Sequence, residues 1–307
     1  MGNSLLVRLR RSFAPSAQMA EPNTPAGPQP VKPRLTRRKR EGHCPLSVSR
    51  KRSPTSQAMI VDTLKLIYQP VAKNACSSTK RLVAELGGLT DDKDEGIHHI
   101  LDSRNTGLQF KDRSDEEIRA ALTGDGWMRF VIFRHPLDRL VSAYVEKFVV
   151  NRTRENQRQT IDEVLCAIFG KPELNEEDYA HGITFREFAE YILSEEPQTL
   201  NSHWQPQVFY MGHIPFTHIY DVRALDRLAE DLGAHIGSEI TLPHINASRS
   251  AEREHLSIAA DLLPGDLDNA PTLDLNSYLP YDLRGRLEEY YAADLSIHRQ
   301  VRQTIRH

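Results

Sequence analysis

Hydrophobic residues fall along this chain in short continuous runs separated by stretches of helical spacing. Leu64–Val71 (LKLIYQPV) and Trp127–Phe133 (WMRFVIF) read as buried strands. Beyond the second run, Leu137, Leu140, Val141, Tyr144 and Phe148 recur at three- and four-residue intervals, so 137–149 is expected to form an amphipathic helix. Helices are also expected at Ser77–Leu86, where Gly87-Gly88 ends the run, and at Asp115–Leu122, Thr160–Phe169, Thr184–Leu193, Ala224–Ile236 and Tyr281–Arg302. Val208–Met211 and Thr217–Asp221 predict short strands, and no internal repeat interrupts the pattern. Strands alternating with helices imply an α/β fold, with a mostly parallel central sheet flanked by helices and ligands at the strand C-termini.

Two strand–loop–helix units carry the candidate chemistry. In the first, the strand empties into Lys73, Asn74, Ala75, Cys76, Ser77, Ser78, Thr79 and Lys80 before a helix begins. Small side chains there let backbone amides approach an anion, the hydroxyls can donate to it, and Lys73 adds a mobile charge. The loop has no Gly-Lys-Ser/Thr, so it is not a Walker A sequence. The second unit is FVIFRHPLDRLVSAYVEKF, in which Arg134 stands where a nucleoside triphosphatase would commonly place a metal-organising Asp. Arg134 can make a forked contact to phosphate, with Ser142 two turns into the following helix. Alone, the first loop reads equally well as a polar loop with a capped helix, and Arg134 could instead pair with Asp138.

Charge divides the chain unequally. Residues 1–53 hold twelve Lys/Arg against Glu21 and Glu41, about +10; with the whole chain at −3, the remainder carries about −13. Residues 1–55, rich in proline and poor in aromatics over 14–33, read as a disordered basic arm, and 56–307 as the folded domain. The arm reads either as a solvated extension or as a contact for anionic membrane or another polyanion. No apolar run approaches the roughly 20 residues that cross a bilayer, and Cys44, Cys76 and Cys166 make no disulfide framework, so a cytoplasmic location is expected.

The two units resemble the 5′-phosphosulfate loop and the 3′-phosphate motif of sulfotransferases that use 3′-phosphoadenosine 5′-phosphosulfate. Arg134, Pro136, Arg139, Leu140, Ser142 and Tyr144 match the second motif, Arg-x-Pro-x-x-Arg-Leu-x-Ser-x-Tyr. The chain is similar in particular to the carbohydrate group that includes chondroitin, dermatan and HNK-1 enzymes, whose His-Trp segment resembles Asn201–Pro206. It departs from them with Ala72 before Lys73, Thr79 where an aromatic is common, and His135 for Asp or Glu.

The resemblance implies a P-loop-like fold and metal-free transfer of a sulfuryl group to a hydroxyl, by analogy that of a carbohydrate. It places Lys73, the 74–79 loop, Arg134 and Ser142 on the donor, with Ser248 and Arg249 in a late loop that follows an expected strand end at Leu242. A general base is expected between the motifs, at His99 in preference to His98, if 98–99 is extended; His203 is the third candidate. Two other classes stay open: a P-loop kinase acting on a nucleoside or sugar, and a non-catalytic protein that holds polyanions through its basic arm.

Overall fold

A computed structural model describes residues 54–89, 96–212, 214–242, 253–268 and 272–305, all within one compact unit, 42–307. Four strands form one sheet in the order β1 (Met59–Val61), β2 (Leu66–Gln69), β3 (Met128–Phe133), β4 (His218–Asp221). β1 runs antiparallel to β2, whereas β2, β3 and β4 are parallel. This is a mixed α/β architecture with a mostly parallel sheet. The strands are buried on both faces, which is why they read as continuous apolar runs.

One sheet face presents Leu66, Tyr68, Phe130 and Ile132 to α1 (Cys76–Leu86), α2 (Ile97–Ser103) and α8 (Leu225–Ile236). The rings of Tyr68 and Phe130 stack across adjacent strands at 4.8 Å. The other face presents Ile60 and Ile67 to Phe110 and Ala121, the latter on α3 (Asp115–Thr123), and Val131 to Tyr210.

Beside the sheet lies a helical core around Tyr144, Phe148, Phe185, Phe188 and Trp204. It is built from α4 (Pro136–Tyr144), α5 (Glu155–Phe169), α6 (Glu176–His181), α7 (Phe185–Ser194), α9 (Pro264–Leu267), α10 (Leu275–Tyr278) and α11 (Tyr281–Tyr290). α12 (Ala292–Ile305) follows and packs against β4. The face expected from spacing is the face buried: Leu137, Leu140, Tyr144 and Phe148 are each at most 1% exposed. Ser114 and Thr184 make capping boxes with Glu117 and Glu187 at the starts of α3 and α7.

Several expectations are corrected. Val208–Met211 is no strand: Gln207–Tyr210 is a 3-10 turn, started by Pro206 and held by the Asp294 carboxylate, which accepts from the amides of Gln207 and Val208. The helix expected over 281–302 is two helices, broken at Tyr291, whose buried hydroxyl donates to the Trp204 carbonyl at 2.6 Å. No strand forms at Leu242. Residues 97–103 are helical, with Ile97, Ile100 and Leu101 buried, so His98 and His99 do not alternate on an extended segment. Helix α4 runs on through a π-helical turn, Val145–Val150.

Candidate donor and acceptor site

The parallel strands β2 and β3 end side by side, and the two units recognised in sequence meet there. Leaving β2, the chain reverses through Lys73 (φ 69°) and Ala75 (φ 58°), both in the left-handed region that non-glycine residues rarely adopt. The strain is held in place from several sides. Asn74 is fully buried and donates to the Ile132 carbonyl (2.8 Å) and to Gln207 Oε1 (2.6 Å). Arg139, 1% exposed, donates to the carbonyls of Ala72, Gln205 and Ser202 at 2.7–2.8 Å.

With Ala75 at its N-cap, α1 has no side-chain cap. Its first bond to the cap carbonyl comes from the Thr79 amide, so the amides of Cys76, Ser77 and Ser78 are left pointing out of the helix end. A positive helix end with unclaimed donors at a sheet's C-terminal edge is a seat for an anion.

Arg134 leaves β3 beside this loop, and its guanidinium donates to the Lys73 carbonyl at 3.2 Å. It has no carboxylate at ion-pair distance among the described residues: Asp138 is taken by Arg223. Burial pulls the Arg134 pKa down, against the nearby charge of Asp138. A largely desolvated cation without a direct counter-ion fits a phosphate ligand better than the Asp138 pairing. Ser142 and Ser78 keep hydroxyls with no partner among the described residues.

Lys73 pairs with Glu146 on the π-helical turn, and Lys147 contacts the same carboxylate at 3.1 Å. Burial lowers the Lys73 pKa, opposed by Glu146. Burial would raise Glu146, but the hydrogen bond and charge of Lys73, with Lys147, bring it down to about 2.

The three histidines separate. His98 lies on α2 facing the loop: Nε2 is 2.8 Å from Ser77 Oγ and Nδ1 is 3.3 Å from Lys80 Nζ. Lysine can only donate there, so Nδ1 accepts and Nε2–H donates to Ser77, leaving the serine proton for another acceptor. Desolvation and Lys80 bring His98 down to about 4. His99, exposed like His98, lies about 100° further round the helix, and its side chain has no hydrogen-bond partner among the described residues. His203 follows Leu200, and its Nδ1 is 2.8 Å from Asn201 Oδ1. The same oxygen accepts the His203 amide, which makes it the acceptor of Nδ1–H and leaves Nε2 with a lone pair. Burial, then Lys147 and Arg139, lowers His203 to about 3.

The structure thus brings together Lys73, Ser77, Ser78, Arg134 and His98. It turns Asn74 and Thr79 inward: both are buried, and the Thr79 hydroxyl donates to the Ala75 carbonyl. Ser248 and Arg249 lie outside the described residues. Sequence reasoning missed the clamp made by Arg139 and Gln207, and the π-turn that delivers Glu146 to Lys73. Arg139 was visible as a motif position but not as a buried clamp; Gln207 carried no sequence signal. Among the described residues, no cluster of His, Cys, Asp or Glu is placed to hold a metal, and no helix is long and apolar enough to cross a membrane.

Carbohydrate sulfotransferase 14 of Homo sapiens is 29% identical over 200 residues, covering 65% of this chain and 51% of that protein. Its Mus musculus counterpart is 27% identical over 235 residues, covering 76% and 60%. Carbohydrate sulfotransferase 9 of Homo sapiens is 27% identical over 161 residues, 49% of this chain and 33% of that protein. The chain therefore spans roughly half the length of the first relatives. No solved structure matches it significantly. The profile of the Sulfotransferase family matches residues 56–298, most of the chain, which thus belongs to the sulfotransferase family.

Proposed function

We propose that this chain transfers a sulfuryl group from 3′-phosphoadenosine 5′-phosphosulfate to a hydroxyl of a carbohydrate. The observation that carries the reading is the meeting of Lys73 and Arg134 over the uncapped start of α1, at the ends of adjacent parallel strands. The strand–loop–helix course of the loop supports a P-loop-like donor site without the Walker sequence. The carbohydrate acceptor follows from what the relatives' names say of them.

The donor, when bound, supplies an activated sulfuryl group on a phosphate leaving group. The amides of Cys76, Ser77 and Ser78 and the hydroxyls of Ser77 and Ser78 would hold its 5′ end; Arg134 and Ser142 would hold its 3′-phosphate. Lys73 stabilises charge that builds on the bridging oxygen, a role that needs a preorganised cation. Glu146 keeps the ammonium aimed when no anion is present. His98 orients Ser77 rather than accepting a proton, since Lys80 already occupies its lone pair. His203 is the best-placed base: Asn201 fixes its tautomer, Nε2 is left to accept, and it lies in the field of Lys73, Lys147 and Glu146. This reverses the preference for His99.

Calorimetry with adenosine 3′,5′-bisphosphate and AMP tests the donor assignment. The bisphosphate should bind much more tightly, and Arg134→Ala should remove most of the difference, about tenfold to a hundredfold for a charged hydrogen bond worth about 1.5–3 kcal/mol. Equal affinity for the two nucleotides would defeat the assignment. An acceptor screen with labelled donor then identifies the sugar, and Mg²⁺-dependent ATP turnover in its place would favour the kinase reading.

A further inference from the structure

A cavity of about 440 Å³ opens where the loop after β3 meets helices α11 and α12. Its wall is formed by His135, Glu288, Leu295, His298, Arg299 and Arg302, with Gln303 at one side. None of these belongs to the proposed donor site. Leu295, His298, Arg299 and Arg302 recur every three or four residues, so one face of α12 supplies most of the lining.

The chemistry of this wall is that of an anion receptor. Neither Arg299 nor Arg302 has a carboxylate partner among the described residues; Glu288, 3.9 Å from Arg284, is the acidic side chain of the wall, and the two guanidinium groups outnumber it. His298 is buried, with Nε2 2.9 Å from Asp221 Oδ2. Burial would raise the Asp221 carboxyl, but the bonds from His298 and the Arg223 amide bring it below its ordinary value. The carboxylate is therefore ionised and accepts the Nε2–H; in that tautomer His298 Nδ1 bears a lone pair and gives no donor to an anion. The His135 ring meets His298 edge-on at 5.2 Å, and its Nδ1 is buried with no hydrogen-bond partner among the described residues. A buried nitrogen without a partner is costly unless a ligand satisfies it. Arg302 also complements the C-terminal end of its helix, but that ordinary role does not explain the unpartnered His135 nitrogen.

We propose that this cavity binds a sulfate or phosphate monoester carried by a small polar molecule, at a site separate from the donor cleft. Two guanidinium groups give the forked donors that a tetrahedral oxyanion accepts, the His135 nitrogen adds a further polar contact, and Leu295 gives an apolar wall for the ligand body. The volume lies within the roughly 300–1,000 Å³ of small-molecule sites. The experiment uses a sulfated sugar as the monoester and a nucleotide as the control for the donor cleft.

The full chain is titrated with galactose 6-sulfate, unsulfated galactose and adenosine 3′,5′-bisphosphate, in the wild type and in Arg299→Gln/Arg302→Gln. Both arginines are exposed on α12, so the fold should survive, and the melting temperature checks this. The sulfated sugar should bind and the plain sugar should not. The double variant should weaken the sulfated sugar at least tenfold and leave the bisphosphate unchanged. As a readout that needs no variant, galactose 6-sulfate should shift the ring signals of His135 and His298 in histidine-labelled protein. Unmoved ring signals, or unchanged sugar affinity in a folded double variant, would overturn the proposal. So would a loss of bisphosphate affinity in that variant, which would make the cavity part of the donor cleft.

Discussion

In the proposed reaction, Lys73 and Ser142 would stand on opposite sides of the distinction between chemistry and binding. Charge grows on the leaving oxygen only as sulfur transfers, so a cation aimed there acts mostly in the transition state. Lys73→Ala should lower turnover far more than it weakens adenosine 3′,5′-bisphosphate. Ser142→Ala should do the reverse, raising the donor KM and weakening the bisphosphate with turnover nearly kept. Near-normal turnover of Lys73→Ala at saturating donor would reduce Lys73 to a binding cation. His203 offers a sharper test. Its pKa of about 3 in the free protein comes from burial and from the nearby cations Lys147, Arg139 and Lys73. The negative charge of bound bisphosphate offsets those cations, so the imidazole pKa should rise on binding, as read by histidine NMR across pH. His203→Ala should cost about 10²–10⁴ in turnover while bisphosphate affinity holds. If neither happens and His99→Ala is the slow variant, the base lies on α2 after all.

At the scale of elements, the loop between β2 and α1 is a strained reversal held by a clamp. Arg139 carries a buried charge with no carboxylate at ion-pair distance among the described residues, satisfied by three carbonyls from two segments. Arg139→Ala strands those carbonyls and should lower unfolding stability by at least about 1.5–3 kcal/mol, measured by denaturant titration. Arg139→Lys should recover only part of it, because an ammonium cannot span the positions a guanidinium fork reaches. Glu146 adds a pH-dependent contribution to the same region. Its folded pKa of about 2 lies below its ordinary 4.5, so its share of stability is present above about pH 4.5 and is lost as pH falls toward 2. The stability gap between wild type and Glu146→Gln should therefore close across that window; a constant gap would show that the Lys73 pair contributes nothing.

This scale also shows what could be read in advance. The strands β2, β3 and β4 and the helices α1, α3, α4, α7 and α8 were legible because each carries its own periodicity, cap or stop. Gln207–Tyr210 and the break at Tyr291 were not, because partners far along the chain decide them: Asp294 caps the first, and the carbonyl of Trp204 holds the second. The strand–loop–helix course of the 73–80 segment was legible from its residue types. The choice among histidines was not, since it depends on which helix face meets the loop and on what Asn201 and Lys80 do to each ring.

For the whole molecule the governing feature is the division of charge. Twelve Lys/Arg against two Glu in residues 1–53 give about +10, and the rest of the chain carries about −13. Every side chain proposed to hold the donor lies in the second part, at positions that β2, β3, α1 and α4 build from residues 66 onward. A chain of residues 54–307 should therefore fold with an unchanged melting temperature and bind adenosine 3′,5′-bisphosphate within about twofold of the full chain, because its recognition is local and its long-range field is screened beyond about 8–10 Å at physiological salt. Binding to vesicles containing phosphatidylserine should behave differently. The full chain should bind them with an affinity that falls steeply as salt rises, as expected when each basic residue near the surface contributes about 1 kcal/mol. The shortened chain, net acidic, should not bind them at all. Vesicle flotation of the two chains at low and physiological salt reads this directly. Equal flotation would place the membrane contact on the folded body, and a large loss of bisphosphate affinity in the shortened chain would mean that the basic segment contributes to the donor site.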